Sequence, residues 1–369
     1  MRENWTYKKL GEVCEIYQPK TLSTEDLVAD GDYPVYGANG IIGRFNSYNH
    51  EFPEVLLTCR GATCGRINIS QPFSWINGNA MVIHRKSDDL SFDFLKYVMF
   101  SLDYSLIITG AAQPQITRQK LAPTVISYPS LSEQQAIVSE LDKINELISL
   151  KKAQLSDLDA LAQSIFYDMF GDPIENEKGW EVKVMKEVCS KITDGTHDTP
   201  TRLTEGVKFI TGKHIRPFYI DYDNSDYVTE EVHREIYARC NPEYDDVLYT
   251  NIGAGVANAA VNKVQYEFSM KNVALLKLHK EVLSSNYLVY YLNNSNVKNN
   301  IIESFSSGGA QVFLSLKAIS KILIPLPSLA LQQDFAKRIE LIEQQKAQIS
   351  STIKDLETLL ASRMQYWFD

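Results

Sequence analysis

Two groups of residues have the types and spacing to do chemistry. The first is Asp194-Gly-Thr-His-Asp-Thr-Pro200, which places Asp194, His197 and Asp198 within five residues. A carboxylate and an imidazole so close can exchange a proton or hold a metal. That span contains no serine, cysteine or second histidine, and its Asp-Gly and Thr-Pro steps mark a turn-rich loop, so a braced loop is the preferred reading and no metal site is expected. The second group is a set of polar loops. Early in the chain they carry Arg44, Arg60, Arg66, Asn77, Asn79, Gln115 and Arg118, and later Lys213, His214, Arg216, Asn251, Asn258, Lys263, Lys271, Asn272 and Lys317. Arg and Lys match guanine edges, Asn and Gln match adenine edges, and the cations also suit phosphates. Each residue alone reads equally as a solvated loop residue or a turn former.

The elements that must position these loops are written twice. Trp5, Leu10 and Glu12-Val13-Cys14 recur as Trp180, Met185 and Glu187-Val188-Cys189, an offset of 175. Thr58 and Gly61 answer Thr250 and Gly253 at 192, and Phe94-Leu-Lys-Tyr-Val98 answers Tyr287-Leu-Val-Tyr-Tyr291 at 193. Gly110-Ala-Ala-Gln113 answers Gly308-Gly-Ala-Gln311 at 198, as Pro129-Ser-Leu131 answers Pro327-Ser-Leu329. The offset only grows, so the second unit is the first with about 23 residues inserted, mostly before Thr250. Gln113 and Gln311, repeated in both units, are expected to hold a loop rather than to distinguish the two halves.

In the first unit, apolar runs predict strands at 55–58, 80–83 and 125–128 with a helix over 91–105. In the second they predict strands at 207–211, 247–250, 273–278 and 322–324 with a helix over 285–293. Each unit ends in a long amphipathic stretch. Leu141, Ile144, Ile148, Lys151, Leu155, Leu158, Ala162, Ile165 and Met169 step by threes and fours, and Phe335, Ile339, Ile342, Lys346, Ile349, Ile353, Leu356, Leu360, Arg363 and Trp367 repeat the phase. That is a coiled-coil seam, here roughly 60 Å long. Ser132 with Gln135 reads as a capping box for the first helix, Gly171 and Pro173 as its stop, and the second helix has Ala330 and Leu331 where the first has Ser132 and Glu133. Antiparallel pairing within the chain is expected, because 171–179 is too short for a parallel return. Lys151 is then expected opposite Ile349, and Lys346 opposite Ile148. Leu147, Leu150 and Leu161 fall on the outer face, as candidates for docking another subunit.

The resulting fold class is α+β. Two α/β-mixed domains, 1–130 and 172–327, are separated by a long antiparallel two-helix coiled coil formed by 131–171 and 328–369, with an internal pseudo-twofold repeat. Composition supports a soluble, cytoplasmic protein: 369 residues, 44% hydrophobic and 22% charged, with no apolar run long enough to span a membrane. Five cysteines without a C-x-x-C pair and six scattered histidines fit neither a disulfide framework nor a structural zinc site. Cys14 and Cys189, at matching repeat positions, are expected as small core residues. The net charge of −9 disfavours nucleic acid at first sight. By segment, however, the first helix carries 3 basic and 7 acidic residues, while 1–130 carries 12 and 13, which leaves room for local basic faces.

The whole chain resembles the specificity subunit of type I restriction–modification systems. The resemblance rests on two heads each followed by a long helix, and on local patterns: Asp194 to Pro200, Gly206-Val-Lys-Phe-Ile-Thr-Gly-Lys-His-Ile215, Asp246-Val-Leu-Tyr-Thr-Asn-Ile-Gly253, Pro325-Leu-Pro327-Ser-Leu and Gln332-Gln333. Counterparts in the first half are Leu57-Thr-Cys-Arg-Gly-Ala-Thr-Cys-Gly-Arg66 and Pro129-Ser-Leu-Ser-Glu-Gln-Gln135. The first head has no Asp-Gly-Thr-His counterpart, which implies a different recognition subtype. The resemblance implies two target-recognition domains on double-stranded DNA, a bipartite asymmetric target, and no catalysis by this chain. It also implies two methyltransferase (M) subunits and two restriction (R) subunits as partners, which would hold S-adenosylmethionine, ATP and Mg. Two alternatives remain open at this point: the recognition subunit of a two-subunit enzyme that cuts on both sides of its site, and a coiled-coil adaptor that binds only proteins.

Overall fold

The computed structural model describes residues 2–110, 113–253, 255–305 and 312–369. It divides into two compact units, Met1–Lys152 with Ser351–Asp369, and Ala153–Ser350. In the first unit, strand Thr6–Lys9 pairs antiparallel with Val125–Tyr128, so the head opens and closes on one ladder. Between them, Cys14–Tyr17, Ala80–Arg85, Val55–Thr58 and Ile67–Ile69 form a four-stranded antiparallel sheet in that order. Val55–Thr58 and the start of Ala80–Arg85 are buried on both faces, which is why the sequence shows continuous apolar runs there. Alternate residues point to opposite sides: Val55, Leu57, Met81 and Ile83 join Phe94 of helix Phe92–Ser101, while Leu56, Ala80 and Val82 join Tyr36 and Ile76. The latter two belong to a smaller sheet in which Tyr33–Gly37 pairs antiparallel with Gly40–Phe45 and parallel with Trp75–Ile76.

The second unit repeats this plan. Glu181–Val184 pairs with Leu323–Leu326, the four-stranded sheet runs Cys189–Asp194, Val273–Leu278, Val247–Thr250, Ala259–Val261, and the smaller sheet runs Asp226–Val228, Val207–Thr211, Ser269–Lys271. The offset between equivalent residues rises from 174 at Tyr33 and Val207 to 192 at Val55 and Val247, so most of the insertion lies between these strands. It builds a hairpin, Ile215–Arg216 with Tyr219–Ile220, and helix Glu230–Cys240. That helix escapes the sequence reading because only His233, Ile236 and Cys240 are buried, too few for a visible period. Its signals are at its ends: Thr229 caps it through Val232 N, Glu230 and Glu231 fill the first turn, and Asn241 closes it at φ 38°. Cys14 and Cys189 are buried as expected, and burial pushes both thiols up to about 12.

Both long helices span 40 residues, Leu131–Phe170 and Leu329–Phe368. Within the first unit their segments run antiparallel: Glu140 accepts from Arg363 and from Trp367 Nε1 (3.1 Å), and Lys152 meets Glu357 at 2.9 Å. Within the second unit the direction is the same, with Asp159 2.7 Å from Lys346 and Phe166 packed on Phe335. The expected neighbour of Lys346 is therefore corrected. Its ammonium sits between Asp159 and Glu343, and although burial opposes its charge, these carboxylates hold its pKa above the usual lysine value. The capping expectation is corrected too. Ser130 and Ser328, not Ser132, precede the helices, and their Oγ atoms accept from Glu133 N and Leu331 N at 3.4 Å, so the two starts are alike.

Just inside each helix lies a glutamine without solvent access, Gln134 and Gln332. Gln134 Oε1 accepts from Ser91 N (2.8 Å) while Nε2 donates to Asp89 O and Pro129 O. Gln332 does the same with Ser284 N, Val282 O and Pro327 O. Gln134→Leu would strand the Ser91 amide and two carbonyls in the interior, a loss of about 2–3 kcal/mol. Thermal denaturation should show the melting temperature down by several degrees, with the exposed neighbour substitution Gln135→Leu near neutral.

Candidate nucleic-acid interface

In each unit the loops at one end of the four-stranded sheet are stitched into a common frame. After Val55–Thr58 the chain turns so that Ile116 N donates to Cys59 O (3.0 Å) and Gly61 N to Pro114 O (2.9 Å), and Arg60 forms an isolated antiparallel bridge with Gln115. In the second unit Leu314 N donates to Asn251 O (2.8 Å) and Ile252 bridges Phe313. The following glycines, Gly61 and Gly253, take φ of 87° and 94° with open space where a Cβ would stand, so backbone conformation rather than crowding demands glycine. Side chains draw the other loops in. Thr58 donates to Ala38 O, Thr63 Oγ1 to Asn39 Oδ1 (2.7 Å), and Gln18 Nε2 to Gly78 O (2.8 Å). Thr250, equivalent to Thr58, donates to Gly255 O and accepts from Asn258 N.

On the first frame Arg60, Arg66, Asn79 and Gln115 are exposed together, with Gln113 nearby in sequence and also exposed. Arg118 is elsewhere, lining a hollow with Lys86 and Glu15. Two other candidates are corrected. Arg44 spends its fork on Gly31 O (2.5 Å) and Asp32 O (2.6 Å), and buried Asn77 exchanges two hydrogen bonds with the backbone of Leu22. Asn77 therefore offers no polar atom to a ligand, and two of the three guanidinium nitrogens of exposed Arg44 are committed to its own loop.

The second unit concentrates its candidates. A cavity of about 450 Å3 is lined by Arg202, Lys213, Arg216, Lys271 and Asn272 together with Ile252, Gly253 and Gly255. Asp226 lies 3.1 Å from both Arg202 and Lys213, and Lys271 donates to Thr199. Arg202 was not singled out from sequence, although it sits two residues beyond the Asp194–Pro200 loop. That loop is a brace. Asp194 binds Arg239 and His197 Nε2 (2.9 Å), His197 Nδ1 meets Asn272 Oδ1 (3.0 Å), and a Cβ on Gly195 would lie 1.9 Å from Met270 O.

Three further candidates hold the frame instead of facing outward. Asn251 is buried, Asn258 bonds Ile215 O and Lys298, and His214 is buried with Nδ1 accepting from Thr211 N (2.9 Å). Lys263 lines a separate hollow with Tyr219 and Tyr222, and Lys317 is exposed in helix Leu316–Ile319. Gln311 and the other residues of 306–311 lie outside the described residues. On the long helices Leu147, Leu150 and Leu161 are 47%, 59% and 48% exposed.

A sequence profile described as the type I restriction modification DNA specificity domain matches residues 2–160 and 177–358. The chain belongs to that family. Each matched stretch of the specificity-domain sequence contains one loop frame. The type I restriction enzyme MjaIX specificity subunit of Methanocaldococcus jannaschii is 24% identical over 314 residues, 78% of this chain and 71% of that protein. The MjaVIII specificity subunit of the same organism is 22% identical over 397 aligned positions, 97% and 92% of the two chains. The same fold occurs in the S subunit of a type I system from M. genitalium, at TM-score 0.63 and 18% identity over 99% of this chain and 96% of that one. A chain from a structural study of type I complex assembly and conformational transition gives TM-score 0.59 at 18% identity, over 99% and 97%. No helix among the described residues is long and apolar enough to cross a membrane.

Burial, with Lys213 beside it, holds the His214 imidazole below its ordinary pKa of 6.5, so it carries no charge toward a ligand at neutral pH. When pH falls through about 6.5 the unfolded chain takes up a proton that folded His214 resists, so its contribution to stability is complete above that pH and declines below it. Denaturant unfolding should give lower stability at pH 5.5 than at pH 7.5. His214→Gln, which keeps an acceptor for Thr211 N, should flatten part of that difference.

Proposed function

We propose that this chain is the non-catalytic DNA-specificity subunit of a type I restriction–modification complex, with each head reading one half of a bipartite, asymmetric target. The observation that carries this reading is one loop frame built twice with different side chains on it: Arg60 and Gln115 in the first head, Ile252 and Phe313 in the second. A repeated scaffold with unlike surfaces suits a target with two unlike halves. The four-cation cavity supplies the charge that phosphates require, in a chain whose total charge is −9. In this reading the long helices pair as an antiparallel coiled coil that sets the spacing between half-sites. Their exposed leucines, Leu147, Leu150 and Leu161, dock two methyltransferase subunits, and two restriction subunits join the complex. S-adenosylmethionine, ATP and Mg belong to those partners, and this chain contributes recognition alone.

Co-expression with the cognate methyltransferase, followed by genome-wide mapping of methylated adenine, should return a split sequence; a continuous target would sink the proposal. Seven residues inserted after Lys152 and again after Ser350 add about 10 Å of helix, so the spacer should lengthen by roughly three base pairs with both half-sites unchanged. Arg202→Ala and Lys271→Ala should weaken binding alike across sequences, and each should lower the slope of log affinity against log salt by about 1.

A further inference from the structure

The loop frames hold one position where backbone geometry is the same in both heads and side-chain chemistry is opposite. At Arg60/Gln115 and at Ile252/Phe313 the chain makes the same antiparallel bridge. Each bridge is followed by the same inter-loop hydrogen bond, Ile116 N to Cys59 O and Leu314 N to Asn251 O, and lies beside a left-handed glycine. Residues opposed across an antiparallel pair send their side chains to one face, about 4.5–5.5 Å apart at Cβ. Arg60 and Gln115 therefore emerge together. Both are exposed, and among the described residues neither side chain has a hydrogen-bond or ion-pair partner. In the second head Ile252 lines the cavity that holds Arg202, Lys213, Arg216 and Lys271, and Phe313 is 37% exposed next to it.

The contrast separates two kinds of contact. The phosphate backbone is chemically the same in both halves of any target, so a frame position that contacted phosphate would need a donor in both heads. An isoleucine and a phenylalanine cannot serve a phosphate. Base edges differ between half-sites, and the side chains suited to them differ accordingly: Arg takes guanine O6 and N7, Gln takes adenine N6 and N7, and apolar groups pack on the thymine methyl.

We infer that the bridged pair is the base-reading position of each head, with Arg60 and Gln115 reading purine edges in one half-site and Ile252 and Phe313 reading thymine methyl groups in the other. This rests on the DNA-specificity reading above. The pair is specificity-determining, while the neighbouring cations Arg202, Lys213, Arg216 and Lys271 supply affinity without sequence choice.

The test uses the full chain in complex with its methyltransferase, selecting from randomised duplex DNA. Four proteins are compared: wild type, Arg60→Ile with Gln115→Phe, the reciprocal Ile252→Arg with Phe313→Gln, and Arg60→Lys. The first double variant should lose its purine preference at one or two positions of a single half-site by about 5- to 150-fold, with the other half-site and the spacer unchanged. The reciprocal variant should change only the opposite half-site, replacing a thymine preference. Arg60→Lys keeps the charge and removes the fork, so it should weaken one guanine preference partially. Unchanged selected sequences overturn the assignment, as does a uniform loss of affinity with a shallower salt dependence, the signature of a phosphate contact. Where a double variant fails to fold by thermal melt, Arg60→Lys decides, and an unchanged guanine preference overturns the assignment. A wild-type complex that selects no split sequence would instead remove the DNA-specificity reading itself.

Discussion

The buried glutamine at the root of each long helix is the contact on which the rest of the architecture depends. Gln134 and Gln332 each join three parts of the chain: the residues before the head's main helix, the Pro-Ser turn, and the first turn of the long helix. Each amide is shut off from water, so its donors and acceptor must be met by protein. That requirement permits one angle of departure for the helix, because rotation of the helix about its start would break hydrogen bonds that nothing else can replace. The closing ladders act with it: Thr6–Lys9 on Val125–Tyr128 and Glu181–Val184 on Leu323–Leu326 tie the beginning of each head to the strand that leads into the Pro-Ser turn. Head and helix root thus behave as one piece in each unit.

Charge is arranged to match. The acidic excess concentrates on the first long helix, where it is spent in part on interhelical contacts such as Glu140 with Arg363 and Asp159 with Lys346. Exposed pairs of this kind contribute little to stability on their own. Their geometry instead fixes which residues of the two helices lie side by side. Cations are drawn to the loop end of the second head, where Asp226 holds Arg202 and Lys213 in place without cancelling the whole cluster. His214 adds no charge to this field. His214 lies within the motif that suggested a basic contact, yet burial makes it an acceptor for the Thr211 amide.

What could be read from the sequence followed the strength of local signals. The repeat, the long helices and the doubly buried central strands were legible because their apolar patterns are dense and periodic. Helix Glu230–Cys240 and the short strand Asp226–Val228 were not, since each buries too few residues to show a period, whereas Val207–Thr211 beside that strand was. The cap of the first long helix was misplaced by two residues for a related reason. Ser130 and Ser132 are both plausible caps in sequence, and only the backbone decides which one faces the free amides. Among site residues, composition picked out polar loops but could not tell outward from inward. Arg44, Asn77, Asn258 and His214 have the side chains of readers and the hydrogen bonds of braces. A polar loop must satisfy its own backbone before it can serve a ligand, and part of its Asn, Gln and Arg content goes to that end.

Duplication gives this arrangement its use. A homodimer presents identical faces and suits a symmetric target, whereas one chain with two copies can keep the frame and let the surface diverge. The residues that keep the frame here are those whose hydrogen bonds do not depend on side-chain identity, or whose side chains point inward: Thr58 and Thr250, Gly61 and Gly253, Gln134 and Gln332. The residues that differ, Arg60 against Ile252 and Gln115 against Phe313, join the frame through backbone atoms alone. Because the bridge is made by the main chain, its side chains can change from donors to hydrocarbon without disturbing the fold. That separation of scaffold from surface is the physical condition for one architecture to present two different faces.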